Sequence, residues 1–208
     1  MDNGIHSLLV TSTAPSEGKS TTAAYLAISH AEQGHRTLLI DADLRRPSLH
    51  RVFGIPPGAG LSNVLLEELN WTDALVKLEK HPNLDLLPAG SPSRRAPDLI
   101  GRGLEAIVEA AARQYSLILL DSPPFLNFAE PLRMSTMVDG VLMVSVAGET
   151  NRDAVASILA TLNRVRANVV GLVLNKVTKD LMQNYHYYGY YGYSGKYYKQ
   201  YYATDEAK

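Results

Sequence analysis

The chain has 208 residues, enough to bury one good core, so a single domain is the expectation. Its 20 basic and 21 acidic residues nearly cancel, which gives no electrostatic reason to expect nucleic acid as a partner. There is no cysteine, so a disulfide framework and a thiolate metal site are both excluded, and a reducing cytosol fits.

The longest apolar runs, such as GVLMVSVAG at 140–148, fall short of the ~20 residues that a membrane helix needs. The start, MDNGIHSLLV, lacks the charged n-region and cleavage site of a signal peptide. A membrane role is therefore expected to come through a partner.

In chain order, short β-branched or leucine-rich runs alternate with longer amphipathic stretches. Strands are expected at 7–11, 37–41, 84–88, 117–121, 140–146 and 169–175. Runs such as LILLD and VLMVSV are apolar on both faces, as in a parallel sheet covered by helices. The first helix is expected over 20–33, ended by Gly34. The stretch 47–79 reads as shorter helices around the turn-rich PPGAG. Good helix formers fill 98–114, and Thr150 or Asn151 can cap a helix running to about residue 166. The expected class is α/β, a doubly wound and mainly parallel sheet flanked by helices. The domain is expected to span 1–179. From 180 to 208 only tyrosine, glycine and polar residues remain, and a flexible tail is expected.

Three segments carry chemistry. In TSTAPSEGKSTT the loop Pro15–Ser16–Glu17 leads to Gly18–Lys19–Ser20–Thr21 between a strand and a helix. Backbone N–H groups at such a helix start can cradle triphosphate oxygens. Lys19 would reach the β- and γ-phosphates and the Ser20 hydroxyl would hold Mg²⁺. Thr13 occupies the place where the usual phosphate loop begins with glycine. In LLIDADLRRP, Asp41 and Asp43 fall at the carboxyl end of the second strand, the edge where parallel sheets bind ligands. Two acids beside a phosphate loop suit a bound cation; a capped strand end with solvated acids is the other reading. In LILLDSPP, Asp121 ends an apolar strand in the form of a Walker B acid. Asn175 and Lys176 end the last strand, either near a nucleotide base or as a polar strand end. The six histidines are scattered, HExxH is absent, and so are the glycine loop, H-R-D and D-F-G of eukaryotic-type kinases.

APSEGKST, LLIDADLRRP and LILLDSPP, followed by the tyrosine-rich tail, together resemble the bacterial tyrosine autokinases of capsule and exopolysaccharide synthesis and export, in the P-loop NTPase superfamily. The resemblance spans nearly the whole chain. It implies ATP and Mg²⁺ as cofactors, Lys19 and Ser20 on the nucleotide, Asp41 as the group that takes the tyrosine proton, and Asp43 and Asp121 serving the metal with Ser20. It also implies a cytoplasmic place at the inner face of the membrane. There a co-polymerase segment, fused or separate, acts as activator, and a protein-tyrosine phosphatase reverses the modification. Partition-type ATPases usually carry lysine where this chain has Ala14. Glu130, in AEPL, stands where many of these kinases have an aspartate. The E-x-x-R-x-x-R helix that members carry ahead of the first strand, for ring assembly, is not in this sequence.

Ten of the 12 tyrosines are Tyr185, Tyr187, Tyr188, Tyr190, Tyr191, Tyr193, Tyr197, Tyr198, Tyr201 and Tyr202, the expected phosphoacceptors. Some 25 flexible residues have a typical reach of ~25–30 Å. Such a tail can visit a neighbouring copy's site as a tethered substrate. Each phosphate adds about −1.5 to −2 charges, so phosphorylation is expected to repel the tail and loosen the assembly. Two rival readings are a partition-type ATPase switch and a non-enzymatic module whose tail is merely adhesive.

Overall fold

The computed structural model describes residues 4–178. The chain divides into two units, Met1–Asn175 and Lys176–Lys208, and the fold below is that of the first. The expected tail with its ten candidate acceptors lies outside the described residues.

All six expected strands form, together with one that periodicity missed. In chain order they are β1 (Ser7–Ser12), β2 (Thr37–Asp41), β3 (Val76–Lys77), β4 (Leu84–Leu87), β5 (Leu117–Asp121), β6 (Gly140–Val146) and β7 (Val169–Asn175). They make one sheet in the order β3-β4-β2-β5-β1-β6-β7. Every pairing is parallel except β3 on β4. The two-residue β3 is too short to show any alternation; its pairing with β4 is what makes it a strand.

The helices are α1 (Lys19–Glu32), α2 (Leu49–Val52), α3 (Leu61–Leu65), α4 (Ala96–Ala111), α5 (Glu130–Met134) and α6 (Arg152–Arg164). Of the two candidate caps for α6, Asn151 is the one used: its side chain accepts from the Asp153 and Ala154 amides. Helix α4 starts two residues earlier than expected, with Pro97 in its first turn, where a missing N–H costs nothing. The 3₁₀ turn Phe125–Asn127 and the short α5 were not expected, because three to five residues are too few to establish a helical period.

The alternation along each strand sorts the core into two layers. Val10, Leu39, Leu119 and Val144 pack with Ala23, Ala24 and Ala27 of α1. Leu9, Leu38, Leu120 and Met143 pack on the other face with Leu99, Ile100 and Leu104 of α4. The alanine face of α1 lets this helix lie close on the sheet, which brings its amino end to the carboxyl ends of β1 and β5. Across the sheet, the buried Asp85 of β4 accepts from the Tyr115 hydroxyl and from Lys77 Nζ of β3, both at 2.6 Å. Tyr115 is one of the two tyrosines outside the tail; burial and then Asp85 push its pKa up, so it is a structural phenol.

Candidate active site

Helix α1 begins where the chain leaves β1 through residues 13–18. That loop closes on itself through Glu17, whose Oε2 accepts the Ala14 amide at 2.9 Å and whose Oε1 accepts the Thr150 hydroxyl. The Glu17 carbonyl accepts from Asn175 Nδ2 at 2.9 Å. Asn175 therefore braces the loop from the end of β7, a contact that motif spacing alone does not reveal. Gly18 sits at φ 97°, and a Cβ there would overlap the Asn175 amide. Two independent reasons thus require glycine at this position. Thr13 is not left-handed, whereas Ser16 is, at φ 66°. This loop consequently has no conformational need for glycine where the usual phosphate loop has one.

Lys19 is the first residue of α1, and its side chain is 10% exposed. Nζ lies 3.2 Å from Asp43 Oδ2, 3.5 Å from Asp121 Oδ1 and 3.1 Å from Ser20 Oγ. Burial opposes its charge and is the largest single influence. Asp121, Asp43 and Asp41 together outweigh it, so the Lys19 pKa is raised and the ammonium is held.

The acids come from two strand ends. Asp41 and Asp121 are register partners at the last residues of β2 and β5, and both are fully buried. Asp41 Oδ2 accepts the amides of Ser48 and Leu49 at 3.1 and 3.0 Å, so the start of α2 fixes its orientation. Asp43 lies past the end of β2; its Oδ1 accepts the Arg46 amide at 2.9 Å while Oδ2 meets Lys19. The turn, rather than strand alternation, therefore brings Asp43 to the site. Burial is the main cause that raises the Asp41 pKa, followed by the charge of Asp121. Burial likewise raises that of Asp121, against the pull of Lys19 and Ser20.

Asp41 Oδ1 and Asp121 Oδ2 are buried, and no described group donates to them. Buried carboxylate oxygens of this kind are what a hydrated cation would satisfy. Among the described residues there is no cluster of three or more His, Asp or Glu able to hold a metal by itself. The donor set fits Mg²⁺, which takes one or two protein oxygens and completes its shell with water and substrate phosphate. Ser20 Oγ and Asp121 Oδ1 both lie beside Lys19 Nζ, as does Asp43 Oδ2, and these are the groups that could hold such an ion.

Glu130 is 1% exposed on α5; its Oε1 meets Arg45 Nε at 2.6 Å, and Arg45 lies over the Phe128 ring. The pair ties the loop after Asp43 to α5. This tie escaped the sequence, where Glu130 read only as a departure from a motif.

A phosphate loop at a helix start, with acids from two neighbouring strands converging on its lysine, defines a P-loop nucleotide-binding protein. The model of the CobQ/CobB/MinD/ParA nucleotide-binding domain matches residues 8–193. The tyrosine-protein kinase YwqD of Bacillus subtilis is 33% identical over 90% of this chain and 79% of its own length. The succinoglycan biosynthesis transport protein ExoP of Rhizobium meliloti is 29% identical over 95% of this chain, but only 26% of its own length. The solved kinase domain of the Escherichia coli tyrosine kinase ETK superimposes with a TM-score of 0.82, at 27% identity, over 86% of this chain and 70% of that one. The chain belongs to the CobQ/CobB/MinD/ParA nucleotide-binding family and, within it, to the bacterial tyrosine-protein kinases. The partition-type switch and the non-enzymatic adhesive module are the less supported readings.

Proposed function

We propose that this kinase moves the γ-phosphoryl group of ATP onto tyrosines of its own carboxy-terminal stretch, presented by another copy. The observation that carries the proposal is Asp41: a buried carboxylate with one oxygen held by two amides, the other without a donor, beside the lysine of the phosphate loop. A carboxylate raised towards neutrality is suited to take the phenol proton as the bond from phosphorus to the tyrosine oxygen forms and the bond to the β–γ bridging oxygen breaks.

Lys19 leaves Asp43 and Asp121 to neutralise phosphate charge. Residues 15–21 surround the phosphates with backbone N–H groups, Pro15 supplying none. Ser20, Asp121 and Asp43 would hold the metal, which when bound would withdraw charge from the phosphoryl oxygens. Asn175 keeps the loop shaped. In this reading the domain runs to residue 179 and the remainder, 180–208, is substrate.

The name of ExoP supports a setting in polysaccharide synthesis and transport. No helix among the described residues is long and apolar enough to cross a membrane. We place the chain at the inner face of the membrane through a transmembrane segment, fused or separate, which activates it. A phosphatase removes the phosphates, and phosphorylation loosens the assembly of copies through charge repulsion.

Incubation with labelled ATP and Mg²⁺ tests the function. Tyrosine label lost in Lys19→Met is the expected result. Free phosphate with no protein label would mean a partition-type switch, and neither product would mean a binding module.

A further inference from the structure

The loop that begins at Asp41 does a second thing after orienting that acid. Its next residues form one wall of a separate cavity of ≈ 480 Å³. Four lining side chains are basic: Arg45, Arg46, His50 and Arg51. Everything else in the lining is proline, glycine or alanine, and no carboxylate faces in. The volume lies within the ~300–1,000 Å³ range of small-ligand sites.

The cations are left available. Among the described residues no ion pair is recorded for Arg46 or Arg51. Arg45 spends Nε on Glu130 and is steadied by Phe128, so its guanidinium is fixed before anything binds. Behind the lining stretch Pro88–Gly90 the start of α3 packs closely. Gly60 starts α3 with its amide N–H on Asn63 Oδ1, and a Cβ at Gly60 would overlap the Pro88 carbonyl and the Gly90 amide. The Ser62 hydroxyl, buried against Gly90 behind this lining, has no hydrogen-bond partner among the described residues. Arginine forks with unspent donors recognise a phosphate dianion, and rigid proline walls offer an apolar slot to an aromatic ring.

We propose that this cavity binds phosphotyrosine on the tail of a second copy, so that a tail already phosphorylated once is held with its next tyrosine near Asp41. Charge complementarity selects this occupant: the cavity is basic and each phosphorylated tyrosine brings nearly two negative charges. The tail is written for it, since Tyr187–Tyr188, Tyr190–Tyr191, Tyr197–Tyr198 and Tyr201–Tyr202 put a second acceptor directly beside the first for eight of the ten tyrosines, and Tyr185 and Tyr193 lie two residues from the nearest one. The proposal rests on the autokinase reading. It adds that acceptors are modified in runs and that the product is itself a ligand.

The test uses the full chain, dephosphorylated and without nucleotide, titrated with a peptide of residues 185–208 carrying one phosphotyrosine. Wild type is expected to bind it, the unmodified peptide much less, and Arg46→Gln/Arg51→Gln about tenfold or more weaker than wild type. Affinity for Mg-ADP, unchanged in the double variant, shows that it is folded. In intact-mass spectra of a reaction with limiting ATP, wild type is expected to yield multiply phosphorylated chains beside unmodified ones. Arg51→Gln is expected to yield mostly single phosphates. Equal peptide binding by wild type and the double variant overturns the proposal. So does equal competition by free phosphate or a phosphoserine peptide, which would make the cavity a general anion site. Failure of the autokinase reading looks different: no tyrosine is labelled at all, while the peptide titration is unaffected.

Discussion

Asp41 and Asp121 stand side by side, register partners at the carboxyl ends of β2 and β5, each fully buried and each with one oxygen that no described group serves. One ammonium, Lys19, lies within 3.5 Å of Asp121 and answers both Asp121 and Asp43. The resting site therefore holds more carboxylates than cations, and nucleotide with its metal redresses that balance.

This imbalance predicts a pH dependence of stability. Both carboxyls are raised from the ordinary 3.8, Asp41 to about 7. Below 3.8 the folded and unfolded chains are both protonated there, and the contribution is fully present. As pH rises towards the folded value the unfolded chain ionises first, so stability is lost across that window. The raised Lys19 value adds stability that is constant until well into the alkaline range. The nucleotide-free protein should melt lower at about pH 8 than at about pH 5, and Asp41→Asn should flatten the difference. Mg-ADP should raise the melting temperature more at the higher pH, because the cation favours ionised acids. Scanning calorimetry on both proteins checks this.

Lys19→Met should separate catalysis from folding. Tyrosine labelling should fall by about 10²–10³-fold or more, as when a charge aimed at the transition state is deleted. Without nucleotide the variant should also be less stable, since removing one partner of a buried pair costs about 3–5 kcal/mol, lessened here by protonation of the acids left behind. Denaturant melts and label incorporation measure the two effects separately.

Gly18→Ala meets two obstacles, the left-handed φ of 97° and the Asn175 amide. It should destabilise by about 1–3 kcal/mol and weaken nucleotide affinity. Adding Asn175→Ala removes the overlap but leaves the backbone strain, so recovery should be partial. Full recovery in the double variant would mean that sterics alone choose glycine here. Nucleotide titration of the three proteins decides.

Asp139 is a test of fold rather than site. Its Oδ2 accepts the His6 amide at 3.0 Å and the Ser7 amide and hydroxyl at 2.8 Å each, while Ser7 Oγ accepts the Asp139 amide at 2.9 Å. Burial works against its charge, but the bonds from Ser7 and His6 outweigh it, and its pKa is lowered. The stabilisation is therefore present above 3.8 and lost as pH falls below it. Asp139→Ala should cost about 0.5–1.5 kcal/mol in denaturant unfolding at neutral pH, because the carboxylate is exposed and its charge is screened, with nucleotide affinity unchanged.

How far the site was legible varied by residue. Gly18, Lys19, Ser20, Asp41 and Asp121 could be read because each lies at the end of a strand or the start of a helix whose pattern is local. The bracing by Asn175, the amides of Ser48 and Leu49 on Asp41, and the Arg45–Glu130 tie could not. Each joins segments whose approach depends on how the sheet is ordered.

The alternation of apolar runs with amphipathic ones, and the order in which phosphate loop and acids occur, were settled by the sequence alone. They follow from side-chain size and polarity within a few residues, and they sufficed for the fold class and the kind of chemistry. Only the tertiary structure decided that β5 lies between β1 and β2. That placement puts Asp121 between the phosphate loop and Asp41, a proximity set by the sheet's packing and carried by no local stretch of chain.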